Sequence, residues 1–310
     1  MKLFFRYVLF IIFLISFENT LAAEAASGVY FPGTYNDFMV AVIPGPGMYV
    51  RNDMLFYKGS LEIGVFSNRI RADSTLSMFT NIIKPAYFTT QKILRARYGF
   101  GANLPYTTDK LHSNTSGLIN SSTIERVNGL SDITLIPVML DWSLINNQLF
   151  ILFYENIYLP TGSFKKNRSL NSGHGYTAFD TNIALSWLSK DMSRELSFTL
   201  GYILNTKNTD INYKTGHELH LDFLLGQHLS EHVELGLTGY LYDQLTNDSG
   251  AGALLGSFKG FAWGLGPAFS YSITLNKTNN ISIISKYIHD IKTVRRFNGN
   301  EFDLAISAAL

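Results

Sequence analysis

Glu195-Leu196-Ser197-Phe198-Thr199-Leu200-Gly201-Tyr202-Ile203-Leu204-Asn205 decides the fold. Leu196, Phe198, Leu200, Tyr202 and Leu204 fall on one parity, and Glu195, Ser197, Thr199, Gly201 and Ile203 on the other. Successive side chains of a strand point to opposite faces, so this stretch is a strand with one apolar and one largely polar face. The pattern recurs downstream. Leu219, Leu221, Phe223 and Leu225 alternate with Glu218, His220, Asp222 and Gly226, and Val233, Leu235, Leu237 and Leu241 with Glu234, Gly236, Thr238, Tyr240 and Tyr242. Phe261, Trp263, Leu265, Phe269, Tyr271 and Ile273 alternate with small residues, and Phe302, Leu304, Ile306 and Leu310 with Glu301, Asp303, Ala305, Ser307 and Ala309. No stretch of similar length carries a 3.6-residue stripe, so the chain is read as all-β.

Strand length then points to a membrane. A strand needs about 9–11 residues to cross a bilayer, more than the five or six usual in soluble sheets. Twelve segments qualify: 47–58, 80–89, 92–104, 131–144, 148–159, 178–189, 194–205, 217–228, 232–243, 260–273, 280–289 and 301–310. Connections alternate between long (59–79, 105–130, 160–177, 206–216, 244–259, 290–300) and short (near 90–91, 145–147, 190–193, 229–231, 274–279). Long extracellular loops opposite short periplasmic turns are the pattern of an outer-membrane barrel. The expected fold is therefore a transmembrane antiparallel β-barrel of about twelve strands, even-numbered, with both termini periplasmic. Pro85 and Pro267 fall inside proposed strands, where a missing N–H needs a bulge or a strand end. Tyr49, Tyr57, Tyr98, Trp142, Tyr158, Trp187 and Trp263 stand near strand ends as candidates for aromatic girdles.

Composition agrees. In 310 residues, 25 Lys+Arg face 24 Asp+Glu; only 16% are charged and 14% are aromatic. Such balance argues against a nucleic-acid binder. The absence of Cys excludes a disulfide scaffold, a Cys-ligated metal and a thiol nucleophile. Lys2 and Arg6, the apolar run from Tyr7 to Phe17 and the small residues at Thr20-Leu21-Ala22 make 1–22 a cleavable signal peptide. A helix of eleven apolar residues rises only about 16 Å and does not span a core of about 30 Å. Residues 23–46 are then a leader or a plug, and 47–310 the barrel.

The inward parity supplies the candidate lumen-lining residues Glu218, His220, Asp222, Glu234, Tyr240, Tyr242, Glu301 and Asp303. Glu155 and Asp180 are read the same way, with Lys286 as a cationic partner. Glu218, His220 and Asp222 share one face, a carboxylate–histidine grouping suited to acid–base work, yet side chains two apart on a strand stand about 7 Å from one another. The spacing therefore predicts ordinary lumen polarity over a catalytic pair. His217 and His220 point to opposite faces and His228 and His232 flank a turn, so no metal site and no cofactor is expected. No G-x-S-x-G elbow, H-E-x-x-H helix or phosphate loop is present.

Gly33-Thr34, Pro44-Gly45-Pro46-Gly47-Met48-Tyr49, Tyr213-Lys214-Thr215-Gly216-His217-Glu218-Leu219-His220-Leu221-Asp222, Gly236-Leu237-Thr238-Gly239-Tyr240, Gln244 to Gly252 and Leu265-Gly266-Pro267 occur in order. In order and spacing they resemble the bacterial SphA-like family named for the MetA-pathway of phenol degradation, densely over 173–273 and again at 28–59. The resemblance implies an outer-membrane barrel channel that takes up apolar or aromatic small molecules, with membrane lipids and the barrel-assembly machinery as partners. Such barrels usually end in an aromatic residue, whereas this chain ends in Leu310, a departure at the assembly signal. Two other classes stay open: an outer-membrane hydrolase or lipid-modifying enzyme using His220, and a structural or adhesive barrel.

Overall fold

The computed structural model describes residues 28–65, 70–117, 120–253, 259–274 and 280–309; the segment 1–22 expected as a signal peptide and Leu310 lie outside them. Thirteen strands follow in order: β1 Gly47–Val65, β2 Ile70–Ile93, β3 Ala96–Gly117, β4 Ser121–Leu130, β5 Thr134–Leu144, β6 Leu149–Tyr158, β7 Ala178–Leu188, β8 Arg194–Asn205, β9 Glu218–His228, β10 Val233–Gln244, β11 Phe261–Thr274, β12 Asn280–Val294 and β13 Asn298–Ala309. All pairings are antiparallel, and β1 pairs β13 from Tyr49↔Ala309 to Ser60↔Asn298, which closes the sheet on itself.

The wall has twelve strands, because β4 is the outward continuation of β5. Leu130 pairs Tyr106 and Thr134 pairs Asn103, so both run along β3 with a break at 131–133. Three stretches expected as loops are strand instead: most of 59–79, of 105–130 and of 290–300. β2 is 24 residues long and β3 is 22, twice what a bilayer needs. These extensions carry polar residues on both faces, for example Ser74 opposite Ser113 and Asp73 opposite Asn114. A strand with water on both sides has no apolar parity to detect.

The prolines are accommodated where pairing lapses. Pro85 pairs Val50 of β1, while the β2–β3 ladder skips from Ile83↔Leu104 to Ala86↔Gly101. Pro267 pairs Leu237, while the β11–β12 ladder omits Gly266 and Pro267.

Polarity is inverted relative to a soluble protein. Leu200 on β8 is 44% exposed, and Leu196, Leu204, Leu235, Leu237, Phe269 and Phe302 are exposed with it. Asp180, Asn182, Thr199, Glu218, His220 and Asp222 are completely buried. An apolar exterior around a polar interior suits lipid outside and hydrogen-bonding partners within. The outer face of this barrel is its membrane surface. Trp187 lies on that face, but Tyr49, Tyr57 and Tyr158 do not form a girdle. Tyr49 packs with Ile43, Tyr57 donates to Asp290 at 3.0 Å, and Tyr158 meets Tyr35. They share the inward parity of β1 and β6, which nearness to a strand end does not reveal. Glu155 is likewise on the outer side, where it accepts from Thr181 at 2.7 Å.

Candidate functional site

The lumen is filled by the chain's own residues 28–46. β1 starts and β13 ends at the short-turn rim, yet Gly28 lies at the opposite rim, against Glu218 at the start of β9. From there the chain descends inside the wall. Asn36 donates to the Gly239 carbonyl at 3.1 Å, the Ala41 N–H to Ser186 Oγ at 3.0 Å, and Arg97 donates to the Ile43 carbonyl at 2.9 Å. Phe38 packs in a cluster with Leu224, Ala268, Ile284 and Ala305.

The sequence-derived lumen residues separate into three groups around this segment. In the first, His220 Nδ1 stands 2.8 Å from Asp222 Oδ2 and Nε2 stands 3.2 Å from Asp180 Oδ1. The direct His220–Asp222 contact overturns the expectation that residues two apart stay too far for a hydrogen bond; both side chains lean toward each other along the strand. The Asp180 contact reaches across β8 because Gly201, opposite His220, has no side chain. A Cβ there would sit 2.0 Å from His220 Nε2 and 2.5 Å from Asn182 Oδ1. Tyr30 stacks on the imidazole at 4.3 Å between centroids and donates to Asp222 at 3.1 Å. Tyr35 lies 4.5 Å from the same ring and donates to Asp180 at 2.7 Å. Gly201→Ala is expected to destabilise the folded barrel by about 1–3 kcal/mol, the cost of overpacking a filled interior. Urea unfolding in detergent measures it, and an unchanged midpoint would refute the close approach.

In the second group, Lys286 Nζ lies 3.0 Å from Asp303 Oδ2 and 3.1 Å from Asp37 Oδ1, and it donates to the carbonyls of Gly33 at 3.1 Å and Asn36 at 2.9 Å. Arg51 joins Asp37 to Asp53 at 2.5 Å each, and Lys84 also reaches Asp53. Glu301 is buried beside Gly33, and its Oε1 has no hydrogen-bond partner. The third group lies toward the long-loop rim. Tyr240 donates to Asp290 at 2.5 Å, and Tyr242 stacks on Tyr30 at 5.5 Å beneath the Arg296 guanidinium at 4.1 Å. Glu218 accepts from Asn205 at 3.4 Å. Glu234 is apart from all of these, at the short-turn rim beside His228.

On the same side as the third group, Asp132 in the β4–β5 break ties down the loop 159–177. It accepts from the Gly162 N–H at 2.9 Å, the His174 N–H at 2.7 Å and the His174 ring at 2.8 Å. Burial pushes its carboxyl up, but the His174 contacts outweigh this and hold it below the ordinary carboxylate range.

A cavity of about 410 Å³ lies beside the inserted segment. Val29, Phe31 and Val40 of the segment form one side, and Leu76, Met78, Ile82 and Ile136 face them from the wall. Tyr57, Tyr154 and Tyr158 line it as well, together with charged residues that include Lys84, Asp109, Asp290 and Arg296. Tyr30, Tyr35 and Gly201, which organise the lumen, were not among the sequence candidates. Their signal is slight, since tyrosines in a leader and one glycine on an inward parity are common.

Among solved structures the chain is similar to the COG4313 outer membrane channel from Pseudomonas putida F1, at 10% identity and TM-score 0.65, covering 91% of this chain and 100% of that one. It is less similar to the transport unit of the autotransporter AIDA-I from Escherichia coli, at 8% identity and TM-score 0.48, covering 95% and 96%. No curated protein sequence matches. The first likeness shows a shared outer-membrane barrel fold. The family described by the MetA-pathway of phenol degradation matches residues 64–305, more than three quarters of the chain. The barrel closed through β1 and β13, with its apolar exterior and polar interior, is an outer-membrane member of the MetA-pathway of phenol degradation family.

Proposed function

We propose that this protein is an outer-membrane channel for apolar and aromatic small molecules, with residues 28–46 as its plug. The supporting observation is the 410 Å³ cavity between that segment and the wall, which combines Val29, Phe31, Val40, Met78 and Ile136 with polar and charged lining residues such as Asp109 and Arg296. A compact aromatic solute fits such a site, because ligand pockets of this size pair a mostly apolar lining with a few orienting polar groups. Twelve strands enclose more space than the eight whose interior side chains fill, so the inserted segment is what narrows the pore. Short turns face the periplasm in this reading, which puts the start of β1 and the end of β13 there and Gly28 at the outer rim.

The enzymatic alternative is the weaker one. Both His220 nitrogens face carboxylates, and Tyr30 and Tyr35 of the plug pack against its ring, contacts that favour an anchoring role over acid–base work. The His220 cluster serves instead as an anchor. The outer-membrane lipids pack on the exposed apolar band, and the assembly machinery remains the expected partner for insertion.

Proteoliposome flux of a phenol-sized aromatic solute and of a sugar of similar size tests this reading. The aromatic solute is expected to cross faster, and Met78→Trp, which fills the cavity, to slow it with little effect on barrel folding. Equal flux of both solutes, or no response to Met78→Trp, would refute the assignment of the cavity as the solute site.

A further inference from the structure

We propose that Glu195, His228 and Glu234 form a binding site for one divalent transition-metal ion of the zinc class. The three residues come from neighbouring strands at the short-turn rim: His228 pairs Glu234 directly across β9–β10, and Glu195 pairs Gly226 on β9. One ligand atom from each can be chosen so that all three lie within 4.8 Å of one another.

The polar atoms there are left over. Glu195 Oε2, His228 Nε2 and Glu234 Oε2 are each buried without a hydrogen-bond partner. The Glu195 side chain is fully buried, and its Oε2 is 3.4 Å from His228 Nε2. A buried carboxylate oxygen without a donor carries its full desolvation cost, so two such oxygens beside an unpartnered imidazole nitrogen, in three side chains this close together, call for a cation. Two carboxylates and a neutral imidazole give the charge that a divalent ion cancels. An imidazole in the set favours zinc-class ions over calcium or magnesium, which prefer all-oxygen shells. Three protein ligands also leave a fourth tetrahedral position for water. The side chains of His228 and Glu234 are 20% and 19% exposed, which gives the ion an entry from solvent.

The site also touches the inserted segment. Glu195 Oε1 accepts from the Met39 N–H at 2.6 Å and from Ser197 at 2.7 Å, so an ion on Oε2 fixes the carboxylate that holds residue 39. Met39 is in the left-handed region, with φ of 54°, a conformation that needs such an external hold. The ion thus braces the lower end of the segment.

Equilibrium dialysis of the untagged, full-length barrel against zinc, followed by metal analysis, tests the site. One zinc per folded barrel is expected, with calcium failing to compete. His228→Asn is expected to weaken zinc by more than the about 10–100-fold that loss of an outer-shell partner costs. His232→Ala, at the adjoining turn, should leave the affinity unchanged, and the mobility shift on boiling reports that each variant is folded. Substoichiometric zinc on folded wild-type protein, full affinity in His228→Asn, or an equal loss in His232→Ala would overturn the proposal.

Discussion

Deleting residues 28–45 is expected to raise the single-channel conductance of the barrel. The wall does not need the segment for closure, since every strand but β4, which pairs β3 alone, has a partner on both sides through β1–β13 and β2–β3. What the deletion removes is the material inside: Tyr30, Tyr35 and Phe38 against β6 to β13, and the backbone that crosses from rim to rim. A twelve-stranded wall without it lies between the eight-stranded barrels that side chains fill and the 16-stranded porins that hold an aqueous channel. Single-channel recording in planar bilayers reads the change directly. An unchanged conductance in a barrel shown to be folded would mean that the segment does not obstruct the pore.

The second large effect belongs to Lys286. Its ammonium lies among Asp37, Asp303 and the carbonyls of Gly33 and Asn36, with the side chain 1% exposed. Lys286→Met leaves Asp303 buried without its ammonium partner and removes the contacts of that ammonium to Gly33, Asn36 and Asp37 of the inserted segment. Removing one partner of a buried ion pair costs about 3–5 kcal/mol. Urea unfolding should show a loss of that order, together with longer open times as the segment detaches. Adding Asp303→Asn to Lys286→Met should recover part of the stability, because the lone charge is gone. Simple additivity of the two substitutions would mean that the pair is not coupled.

These two predictions divide along a physical line. The parity of Leu196 to Leu204, of Leu219 to Leu225 and of Leu235 to Leu241 made the wall legible, because lipid on one side and polar groups on the other impose a period of two. The extensions of β2, β3 and β12 were not legible, since water bathes both of their faces. Neither were the inward Tyr49, Tyr57 and Tyr158, whose parity is set by the register of β1 and β6.

By itself the sequence determined the barrel: about twelve long strands with one apolar and one polar face, and the inward set on β7, β9, β10, β12 and β13. Those follow from local solvent preference, residue by residue. Only the tertiary structure decided what the interior holds. That 28–46 returns through the lumen, that Gly201 lets His220 reach Asp180, and that Glu195 and Glu234 converge on His228 depend on contacts between residues far apart in sequence. A period along one strand reports the medium on each of its faces; it carries no information about which distant segment supplies that medium.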